Sequence, residues 1–296
     1  MTSCARARAG LRALVTWPPL NRALTGGLRR VLPARAQQHP ALGRYVPRAG
    51  VVQVTMPDGR PLRLESRGDD DIAGPLFWRG WDGHETETVK PFYELARSAR
   101  VTLDIGAHVG YFALVAAHAN PAGRVYAFEP LARVRERLER NVALNGATNV
   151  TCVPLALGSP AGTAEFFHVR DGIPSSSSLS RGFMQSIVAR DELISTTVEV
   201  VEVDDFVDSH GLVGVDLVKV DTETTEAAVI RGMLRTLGRD RPAIVCEVLD
   251  AEVGQALEAL LRPLGYEFFL LMGHDAVRCD AIRPDEVWRN YIFRAG

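Results

Sequence analysis

The chain has few cysteines, very few lysines and no long hydrophobic run. Its 296 residues include four cysteines, at positions 4, 152, 246 and 279, without the close spacing of a zinc site or a disulfide framework. No stretch of about 18 apolar residues predicts a transmembrane helix. These absences exclude a disulfide scaffold and a structural zinc site. They predict a protein of a reducing, cytoplasmic compartment that binds no metal.

Acidic residues are absent from the first 57 positions, which hold nine arginines. The remainder carries 25 basic residues against 36 acidic ones, so its net charge is clearly negative. An arginine-rich segment of this kind is typical of a transit peptide, a membrane-surface segment or a plain solvated extension. The chain has only two lysines and favours arginine throughout, so these alternatives stay open.

The overall composition is that of a soluble globular protein, with 46% hydrophobic and 24% charged residues. The length suits one large α/β domain with an extension. We expect an arginine-rich extension over residues 1–48, and a β-hairpin with a Trp-bearing segment over residues 49–90. The hairpin strands, 51–56 and 61–66, flank the turn residues Asp58 and Gly59. Residues 91–296 form the third and largest part.

Strand and helix patterns alternate from residue 101 onward. Strands are predicted at 101–105, 124–128, 150–153, 216–220, 243–248, 266–271 and 290–294. Helices are predicted at 87–97, 111–119, 131–144, 226–237 and 253–261. This order predicts a mostly parallel sheet with helices on both faces. Residues 159–203 break the rhythm, and we expect an inserted antiparallel hairpin there, around the serine loop 175–178.

The most informative segment is VTLDIGAHVG, residues 101–110. It places Asp104 at the end of a buried strand, with Gly106 and Gly110 where the chain turns into a helix. Glycine lets the backbone approach a ligand closely, and a helix N-terminus offers N–H groups. The spacing differs from the G-x-G-x-x-G of dinucleotide folds, in which an acid would repel the pyrophosphate. An acid suits the ammonium group of S-adenosylmethionine, which has no phosphate.

The next strand, RVYAFEP, ends in Glu129. An acid at this position presents two acceptor oxygens to the two hydroxyls of a ribose. Asp104 or Glu129 alone would be typical of a solvated loop. Together, at successive strand ends, they predict a site for S-adenosylmethionine. A nicotinamide-dependent oxidoreductase is the alternative if the glycine loop has another purpose.

Five segments in sequence order resemble the FkbM family of S-adenosylmethionine-dependent methyltransferases. They are VTLDIGAHVGYFAL, VYAFEP, RNVALNG, PLALGS and VDLVKVDTETTEAAVIRGM. The resemblance spans roughly residues 85–247. It implies a Rossmann-like seven-stranded methyltransferase fold and O-methylation, often of a sugar or polyketide hydroxyl.

Carried over by position, the resemblance implies a set of cofactor-binding residues. Asp104, Gly106 and Gly110 line the methionine end with His108 beside them, Glu129 holds the ribose, and Ala156 and Leu157 lie near the adenine. The family string K-I-D-V-E-G-A-E departs at two positions, where Thr224 and Thr225 replace Gly-Ala. A threonine in the glycine position either narrows the site or caps the following helix.

Asp221 and Glu223 follow the strand 216–220 and are the candidate catalytic residues. Methyl transfer requires alignment of the acceptor and removal of its hydroxyl proton. Either carboxylate is a candidate general base, and the two are also candidates for holding a sugar diol or a magnesium ion. The structural alternative is that Asp221 caps the next helix and Glu223 pairs with Lys219 or an arginine.

His84, His168 and Ser178 are the candidate substrate contacts. His168 lies on the expected inserted hairpin and Ser178 in its serine loop, where surface exposure is the alternative. His84 follows Trp78 and Trp81, which either stack on a sugar ring or belong to the core.

The sequence thus predicts an O-methyltransferase acting on a hydroxyl of a sugar, glycolipid or polyketide-type metabolite. One alternative is a non-catalytic methyltransferase-like module, which the change to Thr224 and Thr225 favours. Another is nucleic-acid methylation with the basic N-terminal segment recruiting the polymer. The near-neutral net charge of −2 and the acidic remainder of the chain disfavour a nucleic-acid partner.

Overall fold

The computed structural model describes residues 17–39, 42, 46–189, 191–273 and 275–296. The chain divides into two compact units, Met1–Glu85 and Thr86–Gly296. The boundaries expected at residues 48 and 90 stay predictions. Residues 1–16, 40, 41 and 43–45 of the arginine-rich segment lie outside the described residues.

The first unit is built on the predicted hairpin. Strands β1 (Ala49–Thr55) and β2 (Pro61–Arg67) pair antiparallel, with Ala49 opposite Arg67. Alternate residues of both strands are buried, which gives the hairpin one apolar face. The helices of this unit are α1 (Pro18–Val31), α2 (Ala34–Gln37) and α3 (Ala73–Arg79). Trp78 is buried in α3 and donates its indole N–H to the Val46 carbonyl at 3.3 Å, so this tryptophan has a core role.

The second unit contains the predicted α/β sheet. Its strands are β3 (Val101–Ile105), β4 (Arg124–Phe128), β5 (Val150–Val153), β9 (Leu217–Val220), β10 (Ala243–Glu247), β11 (Tyr266–Met272), β12 (Asp275–Cys279) and β13 (Asn290–Ala295). The order across the sheet is β12-β11-β13-β10-β9-β3-β4-β5. The five strands from β10 to β5 are parallel, and the others are antiparallel. The α/β class and the mostly parallel core are therefore confirmed.

Helices connect these strands. They are α4 (Thr86–Ala96), α5 (Tyr111–Ala119), α6 (Ala132–Asn145), α7 (Arg181–Ile187), α8 (Val203–Ser209), α9 (Glu226–Arg231), α10 (Leu234–Asp240) and α11 (Ala251–Leu261). On one face of β3, Val101, Leu103 and Ile105 join a core with residues of α8, α10 and α11. On the other face, Phe112 of α5 packs edge-on against Phe92 of α4, with ring centroids 5.0 Å apart. Both faces of the central strands are therefore covered.

The predicted insertion forms a small separate sheet. Strands β7 (Gly162–Val169) and β8 (Leu193–Val201) pair antiparallel, and β6 (Ala156–Leu157) joins β8 in parallel. The inserted antiparallel hairpin is thus confirmed. It follows β5 directly, so its loop returns to the carboxyl edge of the main sheet.

Two features differ from the expected pattern. The described sheet has eight strands, one more than the seven predicted. The additional strand, Asp275–Cys279, pairs with β11 at the sheet edge. Because it is exposed, it has no apolar face that the sequence could reveal. The helix expected over residues 226–237 is two helices. Asp204 accepts hydrogen bonds from the N–H groups of Arg235 at 2.9 Å and Thr236 at 2.8 Å, so it caps a separate helix α10.

Lys219 places a charge inside the sheet. Only 1% of its surface is exposed, and its ammonium lies 2.9 Å from the Asp221 carboxylate and 4.7 Å from the centroid of the Phe112 ring. Lys219 is in register with Asp104 across the β3–β9 pair, so the two side chains lie on the same face. Two acids therefore neighbour one buried cation.

The loop after β9 makes a tight turn in an unusual backbone conformation. Glu223 has φ +56° and Thr224 has φ +78°. A β-branched residue in the left-handed region is strained, because its side chain crowds the backbone. The turn also lies close to the glycine loop, since a Cβ on Gly106 would overlap the carbonyl oxygen of Asp221.

Replacing Lys219 with methionine should lower the free energy of unfolding by about 3–5 kcal/mol, because Asp221 loses a buried partner. Lys90, the chain's only other lysine, is half-buried on α4 and provides the matched control, Lys90→Met. We expect the control to change stability by less than about 1 kcal/mol. Urea denaturation of both variants measures the difference, and equal stability of the two would contradict a structural role for the buried charge.

Replacing Thr224 with glycine should raise the free energy of unfolding by about 0.5–1 kcal/mol, because relief of the left-handed strain exceeds the added chain entropy. Thr225 has φ −112° and is the matched control. Thr225→Gly should destabilise the protein. If thermal unfolding showed both variants shifted in the same direction, the strain would not be at Thr224.

Candidate active site

The glycine loop joins β3 to α5. Asp104, 2% exposed, ends β3, and His108 adopts φ +52°. Gly106 and Gly110 have φ +84° and +92°. A Cβ on Gly106 would meet Asp221 and one on Gly110 would meet Leu138, so packing within the protein already requires both glycines. Their presence alone therefore does not prove a ligand.

Glu129 follows β4 and is 3% exposed. Its Oε1 accepts the Leu131 N–H at 2.8 Å, and the N–H of His108 also bonds to the carboxylate. Burial raises the pKa of Glu129, while these bonds and the charges of His108 and Arg135 oppose that rise. The structure thus brings the second predicted acid into contact with the glycine loop.

Ala156 and Leu157 form β6 and are buried, at 7% and 2% exposure. They pair with Val200 and Val201 of β8. Their position follows β5, the next parallel strand beyond Glu129. Their contact with an adenine stays a prediction.

Asp221 and Glu223 come together because of the left-handed turn. Burial and the negative charge of Asp221 together raise the pKa of Glu223 to about 8, although a hydrogen bond from Ser176 opposes the rise. Asp221 pairs with Lys219 at 2.9 Å. The two candidate catalytic carboxyls therefore differ, since Asp221 pairs with Lys219 whereas Glu223 is half-buried with a raised pKa.

Glu226 holds this turn in place. Its Oε1 accepts hydrogen bonds from the N–H of Thr222 at 3.0 Å, the N–H of Thr224 at 3.1 Å and the Thr222 hydroxyl at 3.1 Å. Burial raises the pKa of Glu226 to about 7. Thr225, at the N-cap of α9, makes no side-chain capping bond. The Thr225 hydroxyl instead donates to the Thr222 carbonyl at 3.1 Å, and the N–H groups that Glu226 binds precede the helix.

The serine loop is attached to the turn through Ser178. This residue is fully buried, and its hydroxyl donates to the Glu223 carbonyl at 2.6 Å. The loop also meets the glycine loop, since His108 Nε2 lies 2.8 Å from the Pro174 carbonyl oxygen. Ser178 thereby positions the loop, and its contact with a substrate stays a prediction.

His168 is buried on β7, at 1% exposure. Its Nε2 lies 2.9 Å from the Thr196 hydroxyl, and its Nδ1 lies near both the Val169 carbonyl and the Arg133 guanidinium. Burial lowers the pKa of His168, so the neutral ring is favoured. Both ring nitrogens thus have partners within the protein, and a substrate contact stays a prediction.

His84 belongs to the first unit, where its Nε2 lies 3.4 Å from the Glu85 carboxylate. Its role toward a substrate also stays a prediction. Within the described residues, no group of three or more His, Cys, Asp or Glu side chains has the arrangement of a metal site. The expectation of no bound metal remains a prediction.

Sequence reasoning gave no role to Ser176, Glu226 or Arg133. A lone acid three residues after a catalytic candidate is a signal that could have singled out Glu226. Ser176 was hidden in a run of four serines. Arg133, whose Nε donates to the Gly172 carbonyl at 2.8 Å, looks like any arginine on an exposed helix face.

Comparisons with known proteins agree with this geometry. The chain is similar to the AMB antimetabolite synthetase AmbE of Pseudomonas aeruginosa, with 30% identity over 62% of this chain and 10% of that protein. It is similar to the methyltransferase sdnD of Sordaria araneosa, with 27% identity over 56% of this chain and 73% of that protein. The chain therefore spans about a tenth of the length of the synthetase.

Among solved structures, the chain is similar to the methyltransferase FkbM from Methylobacillus flagellatus KT. The identity is 14%, the TM-score is 0.43, and the match covers 76% of this chain and 54% of that one. The methyltransferase FkbM domain matches residues 104–268, from the acid at the end of β3 into strand β11. Because that match covers more than half of the sequence, the chain belongs to the FkbM methyltransferase family.

Proposed function

We propose that the chain transfers a methyl group from S-adenosylmethionine to a hydroxyl group of a sugar, glycolipid or polyketide-type small molecule. The observation that carries the proposal is the half-buried carboxyl group of Glu223, held beside Asp221 at the carboxyl edge of the sheet. Asp104 and Glu129 lie at the ends of the two neighbouring strands. This edge is where open α/β sheets bind ligands.

The residues at this edge suit the proposed cofactor. Glu129 offers carboxylate oxygens for two ribose hydroxyls, and Asp104 offers negative charge for an ammonium group. A pyrophosphate would meet two buried acids here, so the donor set disfavours a dinucleotide. When bound, S-adenosylmethionine supplies a methyl group activated by a sulfonium.

Glu223 is the better general base of the two candidates. A base is most effective when its pKa lies near the working pH, and the pKa of Glu223 is about 8. Asp221 pairs with Lys219, and its negative charge raises the pKa of Glu223, which strengthens Glu223 as a proton acceptor. Glu226 fixes the turn so that Glu223 is presented in one backbone conformation. Glu223 is therefore the group that would accept the proton of the acceptor hydroxyl.

The non-catalytic alternative depended on the change from Gly-Ala to Thr224 and Thr225. Thr224 nevertheless adopts the left-handed backbone that glycine favours, with its N–H bonded to Glu226. The substitution therefore leaves the turn in place, which supports turnover over a purely binding role.

A cytoplasmic location belongs to the same proposal. The cysteines in the described part of the chain, Cys152, Cys246 and Cys279, are free thiols, as expected in a reducing compartment. A search of the described residues finds no helix with the length and apolar character needed to cross a membrane.

Replacing Glu129 with glutamine should weaken binding of S-adenosylmethionine and S-adenosylhomocysteine about 10- to 100-fold, because charge-assisted hydrogen bonds to the ribose are lost. Calorimetric titration measures this, with NAD as a ligand that should not bind. Glu136, 65% exposed on α6, gives the matched control Glu136→Gln, which should bind like the wild type. Equal affinities of the two variants would remove Glu129 from the site.

Turnover should depend on pH through Glu223. A base must be deprotonated, so kcat should rise about tenfold per pH unit below the pKa and level off above it. With a pKa of about 8, the plateau begins above that pH. The assay is S-adenosylhomocysteine release with an acceptor drawn from a panel of sugars and polyketide alcohols.

Glu223→Gln should lower kcat by about 10²–10⁴-fold and remove the rising limb of the profile. The exposed Glu199 of β8 provides the control Glu199→Gln, which should keep both rate and profile. A Glu223→Gln variant with the wild-type pH profile would assign the proton transfer to another group.

A further inference from the structure

Helix α1 packs on the first hairpin through its polar residues. Its buried residues are Asn21 and Thr25, at 1% and 3% exposure. The Asn21 amide donates to the Pro47 carbonyl at 2.9 Å, and its oxygen accepts the Ala49 N–H at 2.7 Å. The Thr25 hydroxyl accepts a hydrogen bond from the Arg48 guanidinium. These bonds fix which side of the helix faces the hairpin.

The side of α1 next to this buried side is apolar and faces outward. Trp17, Leu24 and Val31 are spaced seven residues apart, so they lie within about 20° of one line along the helix. They are 59%, 53% and 77% exposed. Leu20 and Leu28 flank the line and are half-buried. We call Trp17, Leu24 and Val31 the α1 ridge. Helices of soluble proteins normally turn such a line toward the core.

The segment that carries this ridge is rich in arginine. The first 57 residues hold nine arginines and no acid, and Arg22, Arg29, Arg30, Arg35 and Arg48 lie in the described part. This concentration of positive charge lowers the pKa of an arginine side chain within the segment. Burial lowers the pKa of Arg48, and repulsion by Arg22 and Arg29 lowers it further. A partner for this surface must be anionic.

We propose that helix α1 lies on an anionic lipid surface, with the α1 ridge inserted among the acyl chains and the arginines attracted to the head groups. A helix with a Trp- and Leu-bearing face, an arginine-rich remainder and no acid is the composition of interfacial helices. The cytoplasmic leaflet carries the required negative charge. A second copy of this chain would bring the same arginines face to face, and a nucleic acid would leave the ridge exposed to water.

Vesicle co-sedimentation of the full chain tests this. The wild type should pellet with vesicles of equal phosphatidylcholine and phosphatidylglycerol, and much less with phosphatidylcholine alone. The variant W17S/L24S/V31S should bind the anionic vesicles about tenfold more weakly. The control V213S/V277S/V287S removes three valines that are 74%, 47% and 67% exposed elsewhere in the chain, and it should bind like the wild type.

The charge contribution is tested separately. R30Q/R35Q should weaken binding to anionic vesicles several-fold, and added salt should do the same because exposed charges are screened. Circular dichroism should show all variants folded, since every replaced side chain is partly or largely exposed. Equal pelleting of the α1 ridge and control variants would overturn the proposal, as would wild type that stays in the supernatant. If the wild type is a dimer and the α1 ridge variant is a monomer, the surface binds a second copy of the chain, and this result would also overturn the proposal.

Discussion

The buried ammonium group of Lys219 is the constraint on which the candidate site depends. A cation this far from water is stable only beside negative charge, so the strand that carries it must have acids on the same face. Asp221 meets that need directly, at 2.9 Å, and Asp104 lies in register on the next strand. The aromatic face of Phe112 completes the surroundings. The requirements of one buried charge therefore bring together the ends of β3 and β9, where the predicted cofactor-binding and catalytic acids lie.

The turn after β9 is the second feature on which the candidate site depends. Glu223 and Thr224 are held in left-handed backbone conformations that neither residue prefers. The energy that maintains them comes from the neighbouring carboxylate of Glu226, which takes two N–H groups and a hydroxyl from the turn. Because Glu226 is itself buried, with a pKa of about 7, the support of the turn is coupled to its ionisation. Three acids within six residues thus have different partners: Asp221 pairs with the Lys219 ammonium, Glu226 holds the backbone of the turn, and Glu223 is the proposed proton acceptor.

The sequence predicted the elements whose pattern is strong. The sequence predicts strands β3, β4 and β5 and helix α5 at their observed bounds, because short, mostly apolar runs next to glycine, proline or charged residues have few alternatives. It missed what depends on tertiary contacts. The break between α9 and α10 follows from a cap supplied by Asp204, some 30 residues earlier in the chain. Strand β12 is stabilised by its partner and not by an apolar face. In the candidate site, the acids at the strand ends are predictable from the sequence. The hydrogen-bond partners of His168 are not, because Arg133 and Thr196 lie on other elements and no local sequence pattern indicates these contacts.

The serine loop is attached to its surroundings mostly through its backbone. Arg133 bonds to the carbonyl of Gly172, His108 bonds to that of Pro174, and Phe167 exchanges two backbone hydrogen bonds with Ser178. Contacts of this kind do not depend on which side chains the loop carries. Residues 173, 175 and 177 can therefore vary without detaching the loop from the sheet edge. The side chains that this loop presents at the sheet edge can therefore change while the scaffold that positions the loop stays the same.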